Sequence, residues 1–329
     1  MRVIRISKPG GPEVLELADR PDPVAHPGEV RIRVHAAGVN RADLLQRMGL
    51  YPPPPDAPAD VPGLEYAGVV DAVGEGVTSF AKGDRVFGLA PGGTYAELLT
   101  IHERAVARMP DGLSFVEGAA VPEAFITAYD AMVSQAGLSS GERVLVHAVG
   151  SGVGTAALQI ARAVGATVHG TARTADKLVR AEKLGLRHPV LAKEGGFATE
   201  VLASAGAGDG VDVVLELVGG AYVAEDLRCL APGGRIVVVG MLGGASVDLD
   251  LGTLMRRRAT VRGTVLRSRP HEERILAMRA FERHLVPLFA TKVLAPVVDR
   301  VFPWTDAGGA HTYVAKNEGF GKVILEVGR

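Results

Sequence analysis

A run of small residues offers the first chemistry. Val149-Gly150-Ser151-Gly152-Val153-Gly154 lies between an apolar run ending at Ala148 and the stretch TAALQIARAV. A tight turn joining a buried strand to a helix aims several backbone N–H groups and the positive helix end at one spot, where a pyrophosphate can sit. In strand, turn and helix context this is the dinucleotide turn of a doubly wound sheet. The rival reading is a glycine turn kept only for close helix–strand packing. Counting back from Gly154, Val149 and Ser151 stand where a G-x-G-x-x-G spacing has glycine, so a hydroxyl enters the turn. Ser151 can donate to a phosphate oxygen or can be a small residue that the turn tolerates.

The second strand of such a unit ends in an acidic residue, about 20 positions on, when the partner is the ribose 2′-OH of NAD. Here the strand closes His169-Gly170-Thr171-Ala172-Arg173, with no carboxylate. Arg173, and Lys177 one helical turn later, suit a 2′-phosphate instead, which predicts NADPH as the cofactor. Asp176 belongs to the first turn of the following helix, where an acid favours the dipole. The alternative is that Arg173 and Lys177 are a solvated helix start.

Other chemistries lack their residues. The nine histidines are scattered without a His-Glu-x-x-His, and Cys229 is alone, so no metal ligands stand at a recognised spacing. Ser151 has no G-x-S-x-G elbow, and His147 reads as a core histidine, which disfavours a hydrolase. Hydride transfer by a cofactor that the protein orients is what remains.

The elements that must position these groups fall into two patterns. Up to about residue 122, short β-type runs are broken by Gly and Pro: Val30–Val34, Gly68–Val73, Asp84–Leu89 and Tyr95–Ile101. Asn40–Gln46 reads as a short helix, and Tyr51 precedes four prolines that favour a stiff polyproline II loop. Tyr51 could stack on a planar ring and donate to a carbonyl oxygen gaining charge, or simply pack on the prolines. Beyond it, strands at Glu142–Ala148, Thr167–Thr171, His188–Leu191, Val211–Leu217, Arg235–Val239 and Thr260–Leu266 alternate with helices at Val153–Val164, Thr174–Leu184 and Phe197–Ala205. That alternation predicts a doubly wound parallel sheet over 123–266. A helix at Glu272–Leu285 and a strand at Lys322–Val327 return 267–329 to the β-rich domain of residues 1–122.

Composition sets the outer bounds. With 329 residues, 47% hydrophobic, about two globular domains are expected. Thirty-six Lys+Arg against 37 Asp+Glu give no excess charge to attract nucleic acid or an anionic membrane. No apolar run is long enough for a span, the start MRVIRISKPGGPE has no apolar h-region, and one cysteine fits a reducing cytoplasm.

At 63–74 (GLEYAGVVDAVG) and 82–87 (KGDRVF) the chain resembles the medium-chain dehydrogenase/reductase superfamily. Its zinc enzymes have a histidine ligand where Leu64 stands, and a cysteine ligand in the region of Val39-Asn40-Arg41-Ala42-Asp43. The resemblance is therefore to the zinc-free, zeta-crystallin-like quinone oxidoreductases. It runs through KPGGPE (8–13), NRADLLQR (40–47), SGVGTAALQ (151–159), AEKLG (181–185), LRSR (266–269) and Gly321-Lys322, and is most like the stress-inducible NADPH enzymes. It implies a GroES-like catalytic domain beside a Rossmann domain, NADPH in a cleft, a quinone or other conjugated small-molecule acceptor, and a homodimer joined by sheet edges. It also implies that Asn40, Tyr51 and Thr127 lie on the nicotinamide and substrate side. Gly240, Leu242, Leu266 and Arg267 are then expected along the cofactor, with Gly150, Gly152, Val153 and Thr171. One departure is Ala192, where such enzymes carry a tyrosine near the adenosine phosphate. Reduction of an activated C=C bond, or NADPH binding without catalysis, are the competing functions.

Overall fold

Each strand-type run expected between residues 143 and 263 becomes one strand of a single sheet. In the computed structural model, which describes residues 1–192, 196–206 and 210–328, six parallel strands lie in the order His188–Leu191, Thr167–Ala172, Arg143–Val146, Val211–Glu216, Leu230–Val238 and Thr260–Gly263. The first strand in sequence is therefore central, and the chain order reverses between it and Val211–Glu216. In an open α/β sheet that reversal marks the crevice where a ligand binds. Val144, Leu145, Val146, Val213, Val214 and Leu215 are wholly buried, as strands covered on both faces must be.

The chain divides into two compact units, Met1–Ile126 with Leu266–Arg329, and Thr127–Val265. The first is built on a seven-stranded sheet, in the order Val298–Pro303, Lys322–Glu326, Glu29–Val39, Glu65–Val73, Arg85–Leu89 and Val106–Arg108, with Leu98–His102 also pairing Glu29–Val39. Only the Val298–Pro303 pairing is parallel. Its core joins Ile32, Val34, Tyr66, Val70, Tyr95, Trp304 and Leu325. Among the described residues no helix is long and apolar enough to cross a membrane.

Several boundaries differ from the sequence expectation. The strand expected at Val30–Val34 continues to Val39, because Ala36, Ala37 and Gly38 are small enough to remain paired with both Glu65–Val73 and Lys322–Glu326. The strand expected at Arg235–Val239 starts at Leu230, running through Pro232-Gly233-Gly234, and that expected at Thr260–Leu266 closes at Gly263. Tyr95–Ile101 is replaced by Leu98–His102. The hairpin Arg2–Ile6 with Leu15–Asp19, the strand Val298–Pro303, and the helices Pro122–Tyr129, Leu251–Arg257 and Ala307–Lys316 were not foreseen from periodicity.

Candidate functional site

After Val146 the chain leaves the sheet through a turn whose hydrogen bonds are fully specified. Val149 N–H donates to the Thr171 carbonyl at 3.1 Å, and Ser151 N–H to the Ala148 carbonyl at 2.8 Å. Ala148 has φ of 47°, a left-handed conformation that costs a residue with a Cβ some strain. Ser151 is the N-cap of the helix Gly152–Val164, its hydroxyl accepting from Gly154 N–H at 2.9 Å. A Cβ at Gly154 would stand 2.8 Å from Val149 Cα, so this glycine is required for close helix–strand packing. Gly154 thus serves packing, while the N–H groups of Gly152 and Val153 stand at the opening of the helix, where an anion can be held.

The neighbouring strand ends supply the rest of the second unit's candidates. Arg173 is exposed just beyond Thr167–Ala172, and Lys177 is half-buried on the helix Ala175–Glu182. Thr171 is 1% exposed and its hydroxyl faces inward, 2.8 Å from His147 Nδ1. Gly240 N–H donates to the Glu216 carbonyl, and Gly243 N–H to the Val218 carbonyl at 2.6 Å, which locks the 216–220 and 239–244 loops together. A Cβ at Gly240 would strike the Leu217 carbonyl. Leu242, on the same loop, is 61% exposed. Thr127 is buried, and its hydroxyl has no hydrogen-bond partner.

Under this turn lies a cluster the sequence did not reveal. His147 Nε2 is 2.7 Å from Asp226 Oδ1 and 3.6 Å from Glu216 Oε2, and all three residues are wholly buried. Burial pushes the Glu216 carboxyl up to about 7 and that of Asp226 up to about 8, and pulls the imidazole down to about 4. The 2.7 Å separation is a hydrogen bond, so the cluster holds protons. The other Glu216 oxygen, Oε1, accepts from Gly219 N–H at 2.8 Å and from Val218 N–H, so the cluster shapes the 216–220 loop.

In the first unit, Asn40 caps the helix Arg41–Arg47. Its Oδ1 accepts from Lys322 Nζ at 2.5 Å and its Nδ2 donates to Glu65 Oε1 at 2.9 Å, so both ends of the amide are used within the unit. Lys322 and Glu65 form an ion pair at 2.5 Å, 6% and 0% exposed, and Glu65 Oε2 also takes Glu123 N–H at 2.8 Å. Asp43 accepts from Asn40 N–H, from Gly63 N–H and from the Tyr95 hydroxyl at 3.2 Å. Tyr95 in turn lies 3.2 Å from His311 Nε2, and Arg47 Nη1 3.5 Å from His311 Nδ1. Arg47 can only donate, so His311 is neutral with its proton on Nε2 and points it at Tyr95. Burial and the Arg47 charge pull His311 down to about 3, while burial pushes Asp43 up to about 6.

Tyr51 is half-buried with the Arg267 guanidinium over its ring, 5.3 Å from the centroid. Arg267 Nε donates to the Pro91 carbonyl at 2.7 Å and Nη2 to Gln46 Oε1 at 2.6 Å. Nη1 is buried with no partner. The structure thus groups Tyr51 with Arg267 and Asn40 with Lys322 and Glu65, and Leu266 opens the returning segment of the first unit. The orphaned Thr127 hydroxyl, the free N–H groups at the start of helix Gly152–Val164, and the basic pair Arg173 and Lys177 fit a phosphorylated dinucleotide. The missed residues had one visible signal, a charge at the end of an apolar run: Glu216 closes VDVVLE, and Glu65 and Lys322 open their strands.

Known proteins share this fold. Residues 26–111 match the alcohol dehydrogenase GroES-like domain and residues 152–283 the zinc-binding dehydrogenase family. A quinone oxidoreductase of Sus scrofa is 36% identical over 331 residues, covering 99% of this chain and 97% of that one. Among solved structures, an NAD-dependent alcohol dehydrogenase is 35% identical with a TM-score of 0.87, covering 100% of both chains. A mycobacterial protein in complex with NADPH is 28% identical with a TM-score of 0.88, covering 99% of this chain and 100% of that one. The chain is an oxidoreductase of the medium-chain dehydrogenase/reductase superfamily and belongs with its quinone oxidoreductases.

Proposed function

We propose that this protein is an NADPH-dependent, zinc-independent reductase of quinones, with its cofactor at the 150–154 turn. The observation that carries the cofactor reading is Arg173 and Lys177 at the strand end where NAD-binding units place a carboxylate. Among the solved relatives are an NAD-dependent enzyme and an NADPH complex, so cofactor choice rests on this chain's own residues. When bound, the dihydronicotinamide supplies a hydride. The protein's task is to orient it, exclude water and hold the acceptor. The relatives named quinone oxidoreductase support the acceptor class. Zinc has no donors at the two family positions, since Leu64 is apolar and buried and the Asn40 amide is taken by Lys322 and Glu65. Tyr51 and Thr127 are assigned to the acceptor and nicotinamide side.

A homodimer is part of the same proposal. Thr260–Gly263 is an edge strand exposed along its whole length, with Leu251, Met255 and Val265 exposed nearby in sequence. The wholly buried lone Cys229 suits a reducing cytoplasm. The deciding experiment follows NADPH absorbance with a panel of quinones and enones, in parallel with NADH. We expect quinone turnover with NADPH preferred, and Arg173→Ala weakening NADPH about 10- to 150-fold, one charged hydrogen bond, with NADH little changed. Turnover confined to enones would move the acceptor class, and binding without turnover would make the protein a NADPH-binding protein.

A further inference from the structure

Arg267 carries a charge that the chain buries and then leaves incomplete. The side chain is 6% exposed, and a guanidinium in a protein cannot shed its proton. Two of its nitrogens are fixed, Nε on the Pro91 carbonyl and Nη2 on Gln46 Oε1, and its face lies over the Tyr51 ring. None of these partners is a carboxylate. Nη1, the remaining nitrogen, has no partner although it is out of water. A buried cation held on two sides and unpaired on the third is costly unless a ligand brings an electronegative atom to it.

We infer that Arg267 Nη1 holds the oxygen of the acceptor that becomes negative when hydride arrives, a substrate contact resting on the quinone-reductase reading above. One unpaired nitrogen matches one carbonyl oxygen, whereas a phosphate face calls for a fork or a ring of N–H groups, as at the 150–154 turn. The Tyr51 ring beside it is a flat surface for a conjugated ring. The electron balance agrees. A quinone that takes a hydride from the dihydronicotinamide gains two electrons and one hydrogen, leaving one negative charge on oxygen until water supplies a proton. The nicotinamide is oxidised by the same two electrons. A fixed guanidinium aimed at that oxygen stabilises it more than the neutral carbonyl it replaces.

The test uses the full-length protein and Arg267→Met, with NADPH and two quinones of different electron demand. Losing an oxyanion donor costs about 10²- to 10³-fold in favourable cases. We expect about a hundredfold loss of kcat/KM with 1,4-naphthoquinone, about tenfold with the more electron-poor 1,4-benzoquinone, and an NADPH dissociation constant within about threefold of the wild type. A second readout needs no turnover: benzoate, a flat ring with an anionic oxygen pair, should raise the Tm of the wild type and leave that of Arg267→Met unmoved. If Arg267→Met folds poorly, Gln46→Met, which frees only Nη2, should reproduce both trends in weaker form. NADPH affinity falling in step with kcat/KM would assign the guanidinium to the cofactor, and an equal loss on both quinones with benzoate protection retained would make it structural. Either result overturns the inference. If the wild type reduces no quinone, the functional reading fails separately, and the benzoate comparison still decides whether Arg267 binds an anionic oxygen.

Discussion

The two units bury polar groups in opposite ways. In the first, signs alternate: Lys322 lies against Glu65, and the chain from Arg47 through His311 and Tyr95 ends on Asp43. In the second, Glu216 and Asp226 share a neutral imidazole, with no cation among the three. One cluster is compensated by charge, the other by protons. A cluster of the first kind fails when a partner is removed, and one of the second kind when pH removes the proton.

The largest test of that contrast is Lys322→Met. It leaves Glu65 buried without its cation and Asn40 without a donor, and should cost the first unit about 3–5 kcal/mol. The single tryptophan, Trp304, is buried in that unit's core, so its emission against urea reports the loss. A cost under about 1 kcal/mol would show that Glu65 takes up a proton instead. Next in size is the alkaline limb of the second unit. A carboxyl with a raised folded pKa holds its proton more tightly folded than unfolded. Its contribution is complete below the ordinary carboxylate range and is lost as pH rises through about 7 for Glu216 and about 8 for Asp226. His147 acts in the reverse sense, its contribution complete above about 6.5 and lost as pH falls through about 4. The limb steepens by at most about 1.4 kcal/mol per pH unit for each group. Asp226→Asn should flatten it, as amide exchange in Val211–Glu216 would record. A slope unchanged by that substitution would remove the proton from the cluster.

Smaller effects sharpen the picture. Tyr95→Phe leaves the His311 Nε2 proton unsatisfied and should cost about 1–3 kcal/mol, read by the same Trp304 signal. Asp43 keeps two backbone donors, so a larger loss would mean that the hydroxyl holds more than one carboxylate. Ser151→Ala removes an N-cap worth about 1 kcal/mol. Thermal midpoints and NADPH titration together separate its roles: stability falling with affinity intact makes Ser151 a cap, and affinity falling too adds a phosphate contact.

The parallel sheet could be read from sequence because each of its strands is a local apolar run with a helix behind it. His188–Leu191 emerged with its bounds unchanged, and Gly152–Val164 one residue early. The hairpin Arg2–Ile6 and Leu15–Asp19 was hidden by charges interleaved in both strands, and Ala307–Lys316 by two glycines of poor helix propensity, Gly308 and Gly309. The residues of the glycine turn were recognisable because they are contiguous. Glu65 and Lys322 were not, since their meeting depends on strands more than 250 positions apart in a chain of 329. Arg267 stood out only through a family motif, and its orphaned nitrogen depends on where Gln46 and Pro91 place the other two.

The unit Thr127–Val265 is one continuous stretch, whereas its companion is sewn from segments on either side of it. During synthesis the continuous unit is fully translated before residues 298–326 exist. Lys322–Glu326 is no edge decoration: it inserts between Val298–Pro303 and Glu29–Val39, and brings the ammonium that neutralises Glu65. Until it arrives, Glu29–Val39 is paired along Ala36–Gly38 on one side only, with Glu65–Val73, and the main-chain groups of its other side are left for another nascent chain to pair with. The order of emergence from the ribosome therefore makes the nucleotide-type sheet the early folder and leaves the flanking sheet in need of protection until the last strand is made.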